Sequence, residues 1–179
     1  MKKLGLVFIF IFLTGLFSGL FFSTGLSYEN GSYLSTLLTA SLSDSSAGFS
    51  GTFFSLLFSN FILVIAAAPA VFTRFLCPLP PMVLAYKSFA IGFCSGLLFL
   101  DDPGSAFLIS ATKIFPQNIF IIPGFIILCT AVFFCSTYET MKKNRSHHEK
   151  KDLLIWLSVS VGLILAGCLT ASLFHSVSL

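Results

Sequence analysis

Asn60, Lys87, Gln117 and Asn118 stand inside runs that are otherwise apolar, and they are the residues of this chain best suited to chemistry. Hydrocarbon offers no partner to an ammonium or an amide, so each such group must face other protein, water or a solute. Together they would line a polar path for a small solute, as in a permease or channel subunit. Each also has a structural role open to it. Asn60 can hydrogen-bond between helices, worth about 0.6 to 2 kcal/mol. Lys87 can snorkel toward the side of Arg74 or face a partner carboxylate or a pore.

Gln117 and Asn118 are bracketed by prolines in Phe115-Pro116-Gln117-Asn118-Ile119-Phe120-Ile121-Ile122-Pro123-Gly124. Proline lacks a donor and clashes with the preceding turn inside a helix. The segment is therefore expected to begin at the membrane surface with Pro116 in its first turn, the polar pair turned away from lipid. A plain helix N-terminus in an interfacial loop has the same look.

The other reactive residues form no constellation. His147 and His148 are adjacent in a basic run without further ligands, Asp101 and Asp102 lack a third ligand, and the five cysteines contain no CxxC. No nucleophile stands beside a base, and neither an HExxH nor a glycine-rich phosphate loop occurs. The expectation is a protein that is not an enzyme, with no catalytic residue, metal or cofactor.

The elements that must position these residues follow from composition. The chain has 179 residues, 56% hydrophobic and only 9% charged, with 23 Phe and a mean hydropathy of +0.96. Soluble domains carry about 25% charged residues. An all-α polytopic membrane protein embedded in membrane lipids is expected, as one membrane domain over 1–179. The net charge of +3 reports topology, and no nucleic-acid partner is implied.

Apolar runs place spans at about 4–26, 52–73, 82–100, 118–138 and 153–174, with 105–115 interfacial or re-entrant because it is too short to cross. The first run exceeds a secretory core and reads as an uncleaved anchor. Residues 27–51 look like an external loop, with Ser32 to Leu42 as a short amphipathic helix on the membrane. Cys77-Pro78-Leu79-Pro80-Pro81 is expected to be an extended turn that cannot stay helical. Gly15 with Gly19, Gly92 with Gly96, and Gly162 with Ala166 and Gly167 offer small-residue faces for helix packing, and such faces also admit a homo-oligomer. With the N-terminus cytoplasmic and the C-terminus external, these spans put Lys2, Lys3, Arg74 and the basic run Lys142 to Lys151 in the cytoplasm and leave only Lys113 outside.

The glycine-rich anchor (Gly15, Gly19), Phe58-Ser59-Asn60 in the second span, Ala90-Ile91-Gly92-Phe93 in the third and the Pro116-Gln117-Asn118 to Pro123 segment together resemble the stage II sporulation protein M family, whose topology also has five helices. In broader relatives the comparable stretch often reads Pro-His-Gly followed by a Glu before the second Pro, and an Asn-Gly often occurs in the third span. Here Gln117-Asn118, Ile121 and Lys87-Ser88 stand instead, so no role tied to those residues carries over. The resemblance implies a bacterial cytoplasmic-membrane protein on the mother-cell side of the sporulation septum. It would act during forespore engulfment as a scaffold for peptidoglycan hydrolases, a lytic transglycosylase and an amidase. Binding of those partners is expected around Tyr28 to Ser50 and Asp101 to Asn118.

Overall fold

The structure is a computed structural model and describes residues 2–43, 49–71, 74–101, 104, 110, 114–138 and 147–177. Its helices are α1 (Lys2–Thr24), α2 (Tyr28–Ser43), α3 (Phe49–Ala67), α4 (Leu79–Asp101), α5 (Phe115–Tyr138) and α6 (His147–Val177). Short 3₁₀ turns at Ala68–Val71 and Arg74–Leu76 link α3 to α4, and no strand occurs among the described residues. All but α2 are long and apolar enough to cross a membrane, over Lys3–Thr24, Phe49–Val71, Leu79–Phe99, Phe115–Thr137 and Leu154–Phe174. A crossing needs about 20 residues.

Large apolar side chains point outward all along these helices, Phe10, Phe17, Phe21, Phe58 and Phe61 among them. In water such a surface would drive aggregation, whereas lipid solvates it as well as a core would. The interior is correspondingly modest. Phe8, Leu84, Ile121, Phe125, Cys129 and Cys168 meet at its centre, and the Phe8 and Phe133 rings pack edge to face at 5.6 Å, tying α1 to α5.

With so little hydrophobic drive between helices, close backbone approach decides which pairs form. A methyl at Gly19 would overlap the Phe89 carbonyl oxygen and stand 2.8 Å from the Phe93 nitrogen. One at Gly92 would overlap the Leu16 carbonyl oxygen. Further along, Gly15 faces Ser88 and Gly96 faces Ser23. The two hydroxyls turn back onto their own helices, Ser88 donating to the Ala85 carbonyl at 2.9 Å and Ser23 to that of Leu20 at 2.6 Å. The contacts ascend together in both helices, so α1 and α4 run parallel, and small residues four apart interlock on each side.

α5 and α6 form the second tight pair, antiparallel, because Gly124 faces Ser160 and Ile164 while Gly167 faces Gln117 and Ile121. Of the packing positions expected on the last span, Gly167 is in this seam and Ala166 is half-buried. Gly162 is not: it is exposed, with nothing within 4 Å of an added methyl. Gly162 and Gly167 are five residues apart, and at about 100° per residue they cannot share one face of the helix.

The proline-rich turn also differs from its expected form. Leu79, Pro80 and Pro81 are the first turn of α4 rather than an extended connection, and the Met82 amide donates to the Pro78 carbonyl at 3.2 Å. First-turn residues have no intrahelical acceptor for their N–H, so prolines are tolerated there. At the end of α3, Pro69 accompanies the change to 3₁₀ geometry, and Ala67 and Ala70 are completely buried beside it. The amphipathic segment is a full helix, α2, that packs against α4 with Ser35 buried. The expected interfacial or re-entrant segment 105–115 lies outside the described residues except for Ser110, Ile114 and Phe115. Lys113, Asp44, Asp102 and residues 139–146 lie outside them as well.

Candidate functional site

Asn60 and Lys87 each fall near the middle of a span, Phe49–Val71 and Leu79–Phe99 respectively, and the structure joins them there. The Lys87 Nζ donates to Asn60 Oδ1 at 2.9 Å. Asn60 Nδ2 in turn donates to the Leu56 carbonyl at 2.8 Å and reaches the Cys168 sulfur at 3.7 Å. Asn60 is only 1% exposed, so its amide has exchanged water for these partners on α3, α4 and α6. A buried amide left unpaired would cost about 1 to 3 kcal/mol, which is why the cluster is closed around it.

Lys87 therefore does not snorkel toward Arg74. It lies about 12 Å along α4 from Leu79, at ~1.5 Å per residue, and its ammonium turns sideways to Asn60 instead. The Phe125 ring lies 5.8 Å away on α5, within reach of a cation–π contact. The sequence names Lys87 and Asn60 as polar residues of separate spans. Nothing in it signals their pairing, since they are brought together only by the way α3 and α4 meet.

A cavity of about 220 Å³ opens beside this pair. Gln117 and Asn118, in the first turn of α5, also line it, together with Ser59 and Cys94. All four polar residues expected to face protein or water thus converge on one space. Pro116 lies in the first helical turn as expected, and Asn118 Nδ2 donates to the Ile114 carbonyl at 2.9 Å. The Gln117 amide makes no hydrogen bond among the described residues. Ile114 and Leu38 of α2 line the cavity as well.

Pro123 is elsewhere. It sits inside α5 on an exposed face and borders an adjoining, largely apolar hollow of about 430 Å³ with Ile119 and Ile122. Its ring lacks the donor that would pair with the Ile119 carbonyl, and the helix continues through it. Residues that sequence reasoning left unassigned also enter the site. Cys168 was legible only as a small buried thiol, and Ser59 and Cys94 carried no signal beyond their neighbours in the chain.

The charge balance of the site is one-sided. The seven carboxylates are Glu29, Asp44, Asp101, Asp102, Glu139, Glu149 and Asp152, and none lies within a span. Lys87 is the only charged residue well inside one. Among the described residues, no group of three or more His, Cys, Asp or Glu is placed to hold a metal ion.

Long apolar helices joined by glycine seams, with a small cavity that several polar residues line in part, define the class: a multi-pass α-helical membrane protein. The stage II sporulation protein M family model matches residues 7–174, nearly the whole chain. The protein belongs to that family and is accordingly a sporulation-related membrane protein. No curated protein and no solved structure matches the chain.

Proposed function

We propose that the protein is a non-enzymatic scaffold of the bacterial cytoplasmic membrane that anchors peptidoglycan-degrading partners at the sporulation septum. The partners are a lytic transglycosylase and an amidase, held from the mother-cell side during forespore engulfment. The observation that carries this reading is the family match over residues 7–174. The interlocked α1 and α4 support it physically. A seam that admits no methyl group holds two helices in fixed register, and with them the α1–α3 connection that contains α2, where partners would bind. The orientation proposed with it keeps the N-terminus in the cytoplasm and the C-terminus outside, as the distribution of Lys and Arg favours.

Deleting the gene in its host under starvation, with a complemented strain beside it, tests the role. Flat or bulging septa with dispersed wall hydrolases are the expected outcome by fluorescence microscopy. Normal engulfment with hydrolases still at the septum would remove the anchor role. A second reading, passage of a small solute, is favoured by one observation: Asn60, Lys87, Gln117 and Asn118 line a common cavity. Solute flux in liposomes that disappears in Lys87→Ala would establish it over scaffolding alone.

A further inference from the structure

The Lys87 ammonium has three N–H donors, and among the described residues it meets one hydrogen-bond acceptor, Asn60 Oδ1, and the face of Phe125. A charge taken out of water costs several kcal/mol unless it meets an opposite charge and further hydrogen bonds. None of the five spans found among the described residues contains a carboxylate to provide them. What adjoins Lys87 instead is space, about 220 Å³ of it, enough for a small solute.

The free valences around that space are informative. Both N–H groups of Asn60 are engaged, on Leu56 and Cys168, and its Oδ1 accepts from Lys87, so it has no donor left to give. Lys87 keeps its remaining donors, Gln117 offers an amide with no partner among the described residues, and Asn118, with one N–H of its Nδ2 engaged with Ile114, keeps its second N–H and its Oδ1. A cation with spare donors beside an unsatisfied amide, inside a low-dielectric wall, fits a small group carrying one negative charge and several acceptor lone pairs. A carboxylate has that charge and that geometry. A cation would be repelled by Lys87, and an apolar molecule would leave its donors unmatched.

We propose that this cavity binds a small carboxylate against Lys87, with the Gln117 amide as a second hydrogen-bonding group. The site is independent of the scaffold role: a carboxylate held here completes the charge balance of the bundle whether or not the protein anchors hydrolases. It is also independent of flux, since a bound anion need not cross.

Cys94 lines the same cavity and serves as a reporter. The full chain is placed in phosphatidylcholine nanodiscs, which expose both faces. It is treated with anionic sulfonatoethyl or cationic trimethylammonium-ethyl methanethiosulfonate, and modification is read at each cysteine by mass spectrometry. Rates are normalised to those of a small free thiol.

Cys94 is expected to prefer the anionic reagent by about tenfold, the equivalent of ~1.4 kcal/mol, and millimolar acetate is expected to slow its modification. Lys87→Met should abolish both the preference and the protection, and Lys87→Arg should keep them. Size-exclusion profiles of both variants report folding, and the Arg variant keeps the test decisive if the Met variant does not fold. Nanodiscs containing phosphatidylserine distinguish the source: protection of Cys94 without acetate assigns the carboxylate to a lipid headgroup, and protection only on adding acetate assigns it to a solute. Equal normalised rates for the two reagents would overturn the proposal. So would a preference unchanged in Lys87→Met, or a Cys94 that neither reagent reaches. None of these results bears on septal localisation, so the scaffold reading stands or falls separately.

Discussion

Opposite faces of α4 meet the membrane problem in two different ways. Toward α1, Ser88, Gly92 and Gly96 bring two backbones together with no room for a methyl group, and the Ser88 and Ser23 hydroxyls in the seam are bonded to their own helices. Toward α3 and α5, Lys87 and Cys94 border open volume and carry unspent hydrogen-bonding capacity. The first face is held by contact alone, so it tolerates no added atom. The second is held by a few polar bonds, so it tolerates a change of shape but not the loss of a partner. Stability resides in the seam and chemistry in the cavity.

The sharpest way to break that contrast is to fill the seam. Gly19→Leu, which forces a large side chain against the Phe89 carbonyl and the Phe93 nitrogen, is expected to cost more than the ~1 to 3 kcal/mol of ordinary overpacking. Loss of folded, monodisperse protein on extraction in mild detergent would register it. Gly92→Leu should do the same from the other side.

Asn60→Leu comes next. It removes the one acceptor that the described residues give Lys87, at an expected cost of about 1 to 3 kcal/mol. Lys87→Met should cost less, since Asn60 keeps Leu56 and Cys168. The double variant should be more stable than Asn60→Leu alone, a non-additivity that thermal unfolding of the four proteins would reveal. Additive losses would mean that the bond contributes nothing in the membrane.

Gly15→Ala is a milder insult to the seam, because the nearest atom met is the Ser88 hydroxyl rather than backbone. A drop of about 1 kcal/mol is expected, with partial rescue by Ser88→Gly. The smallest effect belongs to Gly162→Ala, which meets nothing within 4 Å and should leave the unfolding temperature unchanged. A marked loss there would point to a contact made with another copy or a partner helix.

Much of the architecture was legible because lipid leaves few choices. Long apolar runs have only the helix available to them, so the spans and their order followed from hydropathy, and Pro116 marked the start of α5. The misplacements were local. Pro80 and Pro81 open a helix rather than interrupt one, and Gly162 faces outward, because a small residue marks a packing face only when a neighbour is in register with it.

The sequence by itself determined that this is an all-α multi-pass membrane protein, since composition and hydropathy are local properties of the chain, and its short motifs from Gly15 to Pro123 carried the resemblance to the stage II sporulation protein M family. It also marked Asn60, Lys87, Gln117 and Asn118 as costly, because each is polar within an apolar run. Only the tertiary structure decided that Lys87 turns to Asn60 and not to the membrane surface, that Cys168 completes the cluster, and that Gln117 and Asn118 border the same cavity. Those residues lie up to 108 positions apart. Their meeting depends on parallel packing of α1 with α4 and antiparallel packing of α5 with α6, and no run of residues along one helix records which neighbour it will face.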